Sequence, residues 1–286
     1  MKPAHSAPSP AVVVFHKLHE SGCFVLPNPW DPGTAVYLQH VGFKALATTS
    51  AGFAFSRGLP DSIAAISRDA MLAHIREIVA ATPLPVNADF QSGYAHDPAG
   101  VAGNVTLCVQ AGAAGISIED ATGDKARPLY ERELAVERVR AARAAIDAAQ
   151  VPVVLTARCE AWLVDHPDPA RTAIDRLVAF ADAGAHCLYA PGVRDPALIR
   201  TIVKAVAPKP VNVLMSAPVP GLSLSRLADL GVRRVSLGSA LARIAWGSFI
   251  RAAQSIAQTG SFDGLAAAAP FRELNGIFQS RVSTAH

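Results

Sequence analysis

The sequence predicts an α/β protein, a single (β/α)8 TIM barrel with an additional C-terminal helical tail. Its length of 286 residues suits one barrel of eight strand–helix units. Hydrophobic residues make up 51% of the chain and charged residues 17%, which is typical of a large aliphatic interior. Short apolar segments alternate eight times with longer helical segments, and this order favours parallel strands joined by crossovers. A doubly wound sheet is the alternative arrangement.

Eight short apolar segments are predicted as strands. They are residues 23–27, 43–49, 85–90, 115–119, 151–158, 186–190, 211–215 and 234–237. Segments rich in Ala, Leu and Arg are predicted as helices, at residues 68–81, 98–111, 131–149, 169–183, 196–207, 223–230 and 240–257. Three helices end at Gly112, Gly184 and Gly231, where glycine supplies the left-handed residue that closes a helix. Since this joint recurs at one end of the units, we expect the opposite end, where the strands finish, to carry the chemistry.

The predicted barrel spans residues 15–258. Residues 1–14 are predicted as a flexible head. Residues 259–286 are predicted as a C-terminal helical tail that packs on a neighbouring subunit, because it has no place in a minimal barrel. This favours a homo-oligomer, a dimer or a tetramer.

Composition excludes several classes of function. No apolar run reaches the roughly 18–20 residues that a membrane span requires, and the first ten residues lack the apolar core of a secretory signal, so a cytoplasmic protein without a membrane partner is expected. The net charge is only +3 and basic residues are scattered, which argues against a nucleic-acid partner. The four cysteines have no Cys-x-x-Cys spacing, so reduced thiols are expected. The partner that remains is a small-molecule ligand.

Polar residues collect at the ends of the third and fourth predicted strands. The two-residue period of a strand puts Asn87 and Asp89 on one face, and the fourth strand ends in Glu119 and Asp120. Their oxygens, at one level of neighbouring strands, are suitable ligands for Mg²⁺, with Mn²⁺ as a second candidate ion. The alternative is that Asp120 caps a helix and Asn87 makes a turn.

The fifth predicted strand carries an arginine at its end. Thr156, Arg158 and Glu160 share one face of this strand, and Cys159 lies on the other. An arginine at a barrel mouth is a natural bidentate partner for a carboxylate or a phosphate. The alternative is a structural ion pair of Arg158 with Glu160 or Glu119.

Six segments in a fixed order resemble the isocitrate lyase and phosphoenolpyruvate mutase superfamily, over the chain from about Phe15 to Trp246. They are residues 28–31 (Asn-Pro-Trp-Asp), 42–45 running into 48–52, 58–61 (Gly-Leu-Pro-Asp), 87–94, 115–120 and 156–161. The resemblance implies a barrel, commonly tetrameric with its last helices exchanged between subunits. It also implies binding of Mg²⁺ and of small 2-oxo or 2-hydroxy acids.

The resemblance also implies roles for individual residues. Asp89 corresponds to the second acid of an Asp-x-Asp metal motif, Glu119 to the acid on the fourth strand, and Asp61 to a loop acid near the metal. Residues matching substrate contacts are Thr49, Ser50 and Ala51 through their backbone amides, Arg158 as the arginine that grips the substrate, and Asn212 and Arg243 as carboxylate contacts. For Asn212 the alternative is a strand-end hydrogen bond, and for Arg243 an exposed position in the first turn of a helix.

The chain departs from the superfamily pattern at three places. Asn87 stands where the first Asp of the metal motif belongs, so Mg²⁺ should bind more weakly or through water. In the loop after the fourth strand Lys125 matches the lysine of isocitrate and methylisocitrate lyases, but Arg127 replaces the cysteine that acts in proton transfer. Residues 188–191 (Leu-Tyr-Ala-Pro) lack the histidine of the phosphonate-forming branch.

These departures favour a Mg²⁺-assisted carbon–carbon lyase acting on a small 2-oxo or 2-hydroxy dicarboxylic acid. Retro-aldol cleavage needs a base for the hydroxyl proton, whereas decarboxylation of an oxaloacetate-type acid needs mainly charge stabilisation, so decarboxylation is preferred. The expected catalytic residues are Arg158, Asp61, Glu119 and Lys125. A phosphonopyruvate or phosphoenolpyruvate mutase, or a phosphonopyruvate hydrolase, using Asp61 is one alternative. A non-catalytic 2-oxo-acid binder is the other.

Overall fold

The computed structural model describes residues 9–282, and the side chains of residues 9–279. The strands are β1 (Phe24–Leu26), β2 (Leu46–Ala47), β3 (Val86–Asp89), β4 (Gly115–Glu119), β5 (Val154–Arg158), β6 (Cys187–Tyr189), β7 (Val211–Leu214) and β8 (Arg234–Ser236). The helices are α1 (Pro10–Glu20), α2 (Pro32–His40), α3 (Ser50–Ser56), α4 (Arg68–Ala81), α5 (Pro98–Gln110), α6 (Arg132–Ala148), α7 (Pro169–Asp182), α8 (Pro196–Ala205), α9 (Leu224–Asp229), α10 (Ala240–Thr259) and α11 (Phe271–Val282). A 3-10 helix, Asp263–Ala267, precedes α11.

The strands form one parallel sheet in the order β1-β8-β7-β6-β5-β4-β3-β2. Each strand follows its chain neighbour around the sheet, and β8 returns to pair with β1. Between β1 and β2, the backbone amide of Ala47 donates to the carbonyl of Pro27 at 3.0 Å. The sheet is therefore a nearly closed (β/α)8 barrel, which confirms the predicted fold. The doubly wound alternative is wrong because such a sheet reverses its strand order.

The helices begin and end where local chemistry allows. Asp97, Asp168 and Asp195 each precede the proline that opens a helix, and each side chain accepts a hydrogen bond from a backbone amide of the first turn. Proline needs no donor partner there and its φ angle is already helical. These Asp-Pro pairs explain why the predicted starts of α5, α7 and α8 agree with the structure. Gly112, Gly184 and Gly231 take φ angles of 88°, 98° and 91°, which confirms the predicted helix ends.

Most predicted elements shift by one to three residues at an end, and two differences are larger or change a predicted state. The second predicted strand, residues 43–49, is reduced to Leu46–Ala47, since Thr49 already caps α3 by accepting a hydrogen bond from Gly52. Helix α1 begins at Pro10, so residues 10–14 of the predicted flexible head are helical, while residues 1–8 lie outside the described residues. Helix α1 is ordered by burial, because Val12 and Phe15 pack into the strand starts.

Phe15 closes the N-terminal end of the barrel. It is fully buried among residues at the strand starts, including Ala114, Val154 and Cys187. A Cβ atom added at Gly115 would lie 2.5 Å from the Phe15 ring, so β4 must begin with glycine. Because one end of the barrel is filled by α1, a ligand has access only from the end where the strands finish.

The C-terminal helices leave apolar side chains exposed. Ile244 and Phe249 on α10, Phe262 before the 3-10 helix and Phe271 on α11 are each more than half exposed. None of the helices within residues 9–282 is long and apolar enough to cross a membrane. The four cysteines are unpaired, as the sequence predicts, and Cys108, Cys159 and Cys187 are buried.

Candidate active site

Three strands deliver charged side chains to the same level of the barrel mouth. Asp89, Glu119 and Arg158 are the last residues of β3, β4 and β5, and Glu119 is directly paired with Arg158 in the strand register. The guanidinium of Arg158 contacts Asp89 Oδ1 through Nη1 at 2.9 Å and Glu119 Oε2 through Nη2 at 3.2 Å. Its Nε contacts Glu160 Oε1 at 2.9 Å. One arginine thus joins three carboxylates.

The cluster holds more acid than base. Burial raises the pKa of Glu119 well above its usual value, with Arg158 opposing and Glu160 and Asp89 adding to the rise. Burial likewise raises the pKa of Glu160. For Arg158, burial lowers the pKa, but the three carboxylates outweigh it and hold the group firmly protonated. A cation bound here would favour the ionised forms of Glu119 and Glu160, so this end of the barrel is attractive to a cation.

A cavity of about 480 Å³ lies beside the cluster. Its polar lining includes Ser50, Asp61, Gln91, Glu119, Arg158 and Glu160. Its apolar lining includes Ile63, Leu163 and Val164. Partial burial, followed by the charge of Asp89, raises the pKa of Asp61, although the residue is exposed at the rim. A pocket with convergent polar groups and perturbed carboxyls is the expected form of a small-molecule active site.

The predicted substrate-amide segment lies at this cavity. The backbone amide of Ser50 donates to Asp89 Oδ2 at 2.9 Å, and the Thr48 hydroxyl accepts from the amide of Asp89 at 2.8 Å. Ser50 lines the cavity, whereas Thr49 is buried as the cap of α3 and Ala51 flanks it. The turn after β2 is therefore fastened directly to the acid at the end of β3.

Asn87 lies on the same face of β3 as Asp89, two residues earlier in the strand, and is buried. Its Nδ2 donates to Ser117 Oγ at 2.9 Å and to the carbonyl of Ala88 at 3.2 Å. Its Oδ1 is buried without a hydrogen-bond partner. Asn87 is therefore a buried amide with one free acceptor and does not line the cavity.

Three further residues predicted for the site, Lys125, Asn212 and Arg243, do not line the cavity. Lys125 is exposed in the loop after β4, and Arg243 is exposed in the first turn of α10. Asn212 is buried on β7, where Oδ1 accepts from Arg234 Nε at 2.8 Å and Nδ2 donates to Ser236 Oγ at 2.9 Å. For Asn212 and Arg243 the structure thus agrees with the alternative roles, a strand hydrogen bond and an exposed first-turn arginine.

The structure adds residues that the site prediction left out. Glu160 lines the cavity and pairs with Arg158, and its signal was available because both lie on one face of the fifth strand. Gln91 lines the cavity with a φ angle of 45°, and its Oε1 is buried without a partner. Tyr189 lies beneath Arg158, with the guanidinium carbon 5.1 Å from the ring centre. No sequence pattern pointed to Gln91 or Tyr189.

The donor set fits a magnesium ion that keeps most of its water. Asp89 and Glu119 supply hard oxygen ligands, the carboxyls of the cluster outnumber its one guanidinium, and the Oε1 of Gln91 at the cavity is unpartnered. The unpartnered Oδ1 of Asn87 does not belong to this set, because Asn87 does not line the cavity. Within the described residues no group of three or more His, Cys, Asp or Glu side chains is arranged to enclose an ion. Mg²⁺ is commonly held by one or two carboxylates and several waters, so this does not conflict with the fit.

Comparison with known proteins shows the family to which the chain belongs. A family model described as phosphoenolpyruvate phosphomutase matches residues 15–257. The crystal structure of a candidate lyase/mutase from Burkholderia cenocepacia J2315 has a TM-score of 0.90 and 49% sequence identity, over 94% of this chain and 96% of that chain. An uncharacterised protein of Mycobacterium tuberculosis (strain ATCC 25618 / H37Rv) is 36% identical over 94% of this chain and 99% of its own length. A 2-methylisocitrate lyase of Escherichia coli (strain K12) is 34% identical over 60% of this chain and 58% of its own length. The chain therefore belongs to the phosphoenolpyruvate phosphomutase family and is an enzyme of the isocitrate lyase/phosphoenolpyruvate mutase superfamily.

Proposed function

We propose that this protein is a Mg²⁺-assisted lyase that breaks a carbon–carbon bond in a small 2-oxo or 2-hydroxy dicarboxylic acid, with oxaloacetate-type decarboxylation preferred. The observation that carries the proposal is Arg158, a buried cation at the cavity, with carboxylates on all sides that also suit a divalent ion. A relative named 2-methylisocitrate lyase supports carbon–carbon cleavage.

The chain's own residues suit this step. Arg158 would bind a carboxylate of the acid through its paired nitrogens, and the Ser50 segment would border the other end. When bound, Mg²⁺ would draw electron density from the 2-oxo group as the enolate forms. Breaking the bond between C3 and C4 of oxaloacetate releases CO₂, and the electron pair stays on the enolate of pyruvate. A proton then returns to C3.

Asp61 is the candidate donor of the proton that returns to C3. It lines the cavity, and its raised pKa lets it keep a proton at a higher pH than an ordinary Asp does. Lys125 is exposed and is not among the residues that line the cavity, so we assign it no role in this step. The loop around Arg127 also supplies no base to the cavity, which keeps retro-aldol cleavage of a 2-hydroxy acid as the less favoured variant.

The test is a screen of 2-oxo and 2-hydroxy dicarboxylic acids with chelator-treated protein, with and without added Mg²⁺. We expect oxaloacetate to give pyruvate and CO₂ faster than Mg²⁺ does without protein, and EDTA to remove that excess rate. Arg158→Gln protein at the same Mg²⁺ concentration is the matched control for the metal's own catalysis. Wild-type and Arg158→Gln rates that are equal for every acid would refute the proposal.

A second candidate is phosphonopyruvate or phosphoenolpyruvate chemistry, favoured by the family model that the chain matches. Asp61 at the cavity rim would then accept the phosphoryl group or activate water. ³¹P NMR of phosphonopyruvate incubated with the protein separates this candidate from the lyase. Thermal stabilisation by 2-oxo acids without any product would instead identify a non-catalytic binder.

We also propose that the chain forms a homo-oligomer, a dimer or a tetramer, through α10 and the segment that follows it. Ile244, Phe249, Phe262 and Phe271 are 61–81% exposed in the single chain. Large apolar side chains left this exposed on consecutive elements of the chain support an association site there. A second copy of the same chain is the occupant that we propose for it.

A further inference from the structure

Glu160 contacts the guanidinium of Arg158 at a different place from the other two acids. Its Oε1 accepts from Nε, the nitrogen nearest the side-chain stem, at 2.9 Å. Asp89 and Glu119 contact Nη1 and Nη2, which form the outer edge of the group. Nε has one N–H, which Glu160 occupies, whereas Nη1 and Nη2 each have two and each make one of these contacts. The donors that remain for a ligand carboxylate are therefore on Nη1 and Nη2.

Glu160 is also the least accessible of the three acids. Its side chain is 6% exposed, against 18% for Asp89 and 12% for Glu119. Glu160 lines the cavity but is the most buried of the three acids. The contact with Glu160 is the one best placed to persist when a ligand binds.

A chain of buried contacts fixes Glu160 in turn. Its backbone amide donates to Asp120 Oδ1 at 2.8 Å, and Asp120 Oδ2 is paired with Arg176 Nη1 at 3.0 Å. Arg176 also donates to the carbonyl of Tyr130 at 2.7 Å. Helix α7 thereby holds the ends of β4 and β5 together. Rigid support of this kind is what keeps a binding group in its productive geometry.

We propose that Glu160 is the positioning residue for Arg158: it holds Nε, so that the Nη1–Nη2 edge faces the cavity and binds the carboxylate of a ligand. Glu160 acts through Arg158 and does not touch the reacting atoms. The carboxylate as ligand rests on the function proposed above, whereas the Glu160–Arg158 contact does not. The two are therefore tested by separate measurements.

The first measurement needs no ligand. In ¹H–¹⁵N spectra of the full-length protein, the Nε–Hε signal of Arg158 is identified by its loss in Arg158→Lys. We expect this signal to exchange slowly with water in the wild type and in Glu160→Gln, which keeps an acceptor, and to exchange much faster in Glu160→Ala. Glu133→Gln, an exposed change on α6, is the matched control. Unchanged exchange in Glu160→Ala would overturn the proposal.

The second measurement uses oxalate, a rigid dicarboxylate, with calorimetry at saturating Mg²⁺. Glu160→Ala should weaken oxalate binding about 10- to 100-fold, the usual effect of losing a charge-assisted hydrogen bond, and Glu160→Gln should weaken it less. The double variant Glu160→Ala/Arg158→Lys should bind oxalate no more weakly than Arg158→Lys does, because both changes remove the same alignment of the Arg158 donors. Additive losses would contradict the proposal. The exchange and oxalate results can hold while the screen finds no acid that the protein cleaves. In that case the proposed lyase function is wrong and the positioning role of Glu160 stands.

Discussion

Oδ2 of Asp89 accepts a hydrogen bond of 2.9 Å from the backbone amide of Ser50, while Oδ1 of the same carboxylate holds Arg158. One acid therefore joins the turn after β2, the end of β3 and the end of β5. A ligand or ion that draws on Asp89 must share it with both partners.

Asp89→Ala should weaken Mg²⁺ binding and Mg²⁺-dependent activity by at least about 10- to 100-fold, since that is the usual cost of losing even an outer-shell partner of a metal ion. Calorimetric titration with Mg²⁺ and the decarboxylation assay measure the two effects. Asp182→Ala, an exposed change at the end of α7, is the control. Full Mg²⁺ affinity in Asp89→Ala would show that the ion binds elsewhere.

Asn87→Asp should tighten Mg²⁺ binding because it replaces a neutral amide, whose Oδ1 has no partner, with a negatively charged carboxylate. Without metal the same change should lower the free energy of unfolding by about 1–3 kcal/mol, since the carbonyl of Ala88 loses its donor and a second buried carboxylate faces Asp89. Thermal unfolding in EDTA and in Mg²⁺ should therefore show a larger metal effect for the variant than for the wild type. Equal metal effects would count against this role for Asn87.

Arg158→Lys should lower kcat at least about tenfold, because lysine keeps the charge but loses the two parallel donors that face the developing negative charge. If Arg158 bound only the ground state, KM would rise and kcat would stay the same. Steady-state kinetics with a substrate found in the screen separate the two cases. Arg140→Lys, an exposed change on α6, is the control, and circular dichroism checks the fold.

Glu119→Gln should change how stability depends on pH. Burial raises the pKa of Glu119 well above its unfolded value, so the folded state binds this proton more tightly than the unfolded state. The stability that this proton contributes is fully present below the unfolded pKa and is lost as the pH rises through the folded pKa. The melting temperature of Glu119→Gln relative to wild type should therefore increase from pH 5 to pH 8. A difference that is flat or decreases with pH would contradict the raised pKa.

Phe249→Glu and Phe271→Glu should dissociate the proposed oligomer, because each places a charge in a surface that must be desolvated on assembly. Light scattering coupled to size-exclusion chromatography should give the mass of a multiple of the chain for wild type and of one chain for the variants. Phe53→Glu is unsuitable because that residue is buried in the core. A wild-type protein that is monomeric at micromolar concentration would refute the assembly.

The sequence by itself determined the fold. Strand–helix alternation, Asp-Pro helix starts and glycine helix ends are local signals, and α4 and β4 are observed at the residues predicted for them, 68–81 and 115–119. The same period-two pattern placed Asp89 and Arg158 at strand ends on defined faces. These features depend on neighbouring residues, so they can be read along the chain.

Only the tertiary structure decided which of the polar residues meet. The register that pairs Glu119 with Arg158 comes from the pairing of neighbouring strands, and so does the convergence of Asp89 and Glu119 on one guanidinium. Pairing of the same kind puts Asn212 against Arg234, whereas Lys125 stays in an exposed loop. Burial of Phe15 orders α1, which no local signal required. Contacts between residues far apart in sequence set these positions, and their energies depend on burial and charge that exist only once the chain has folded.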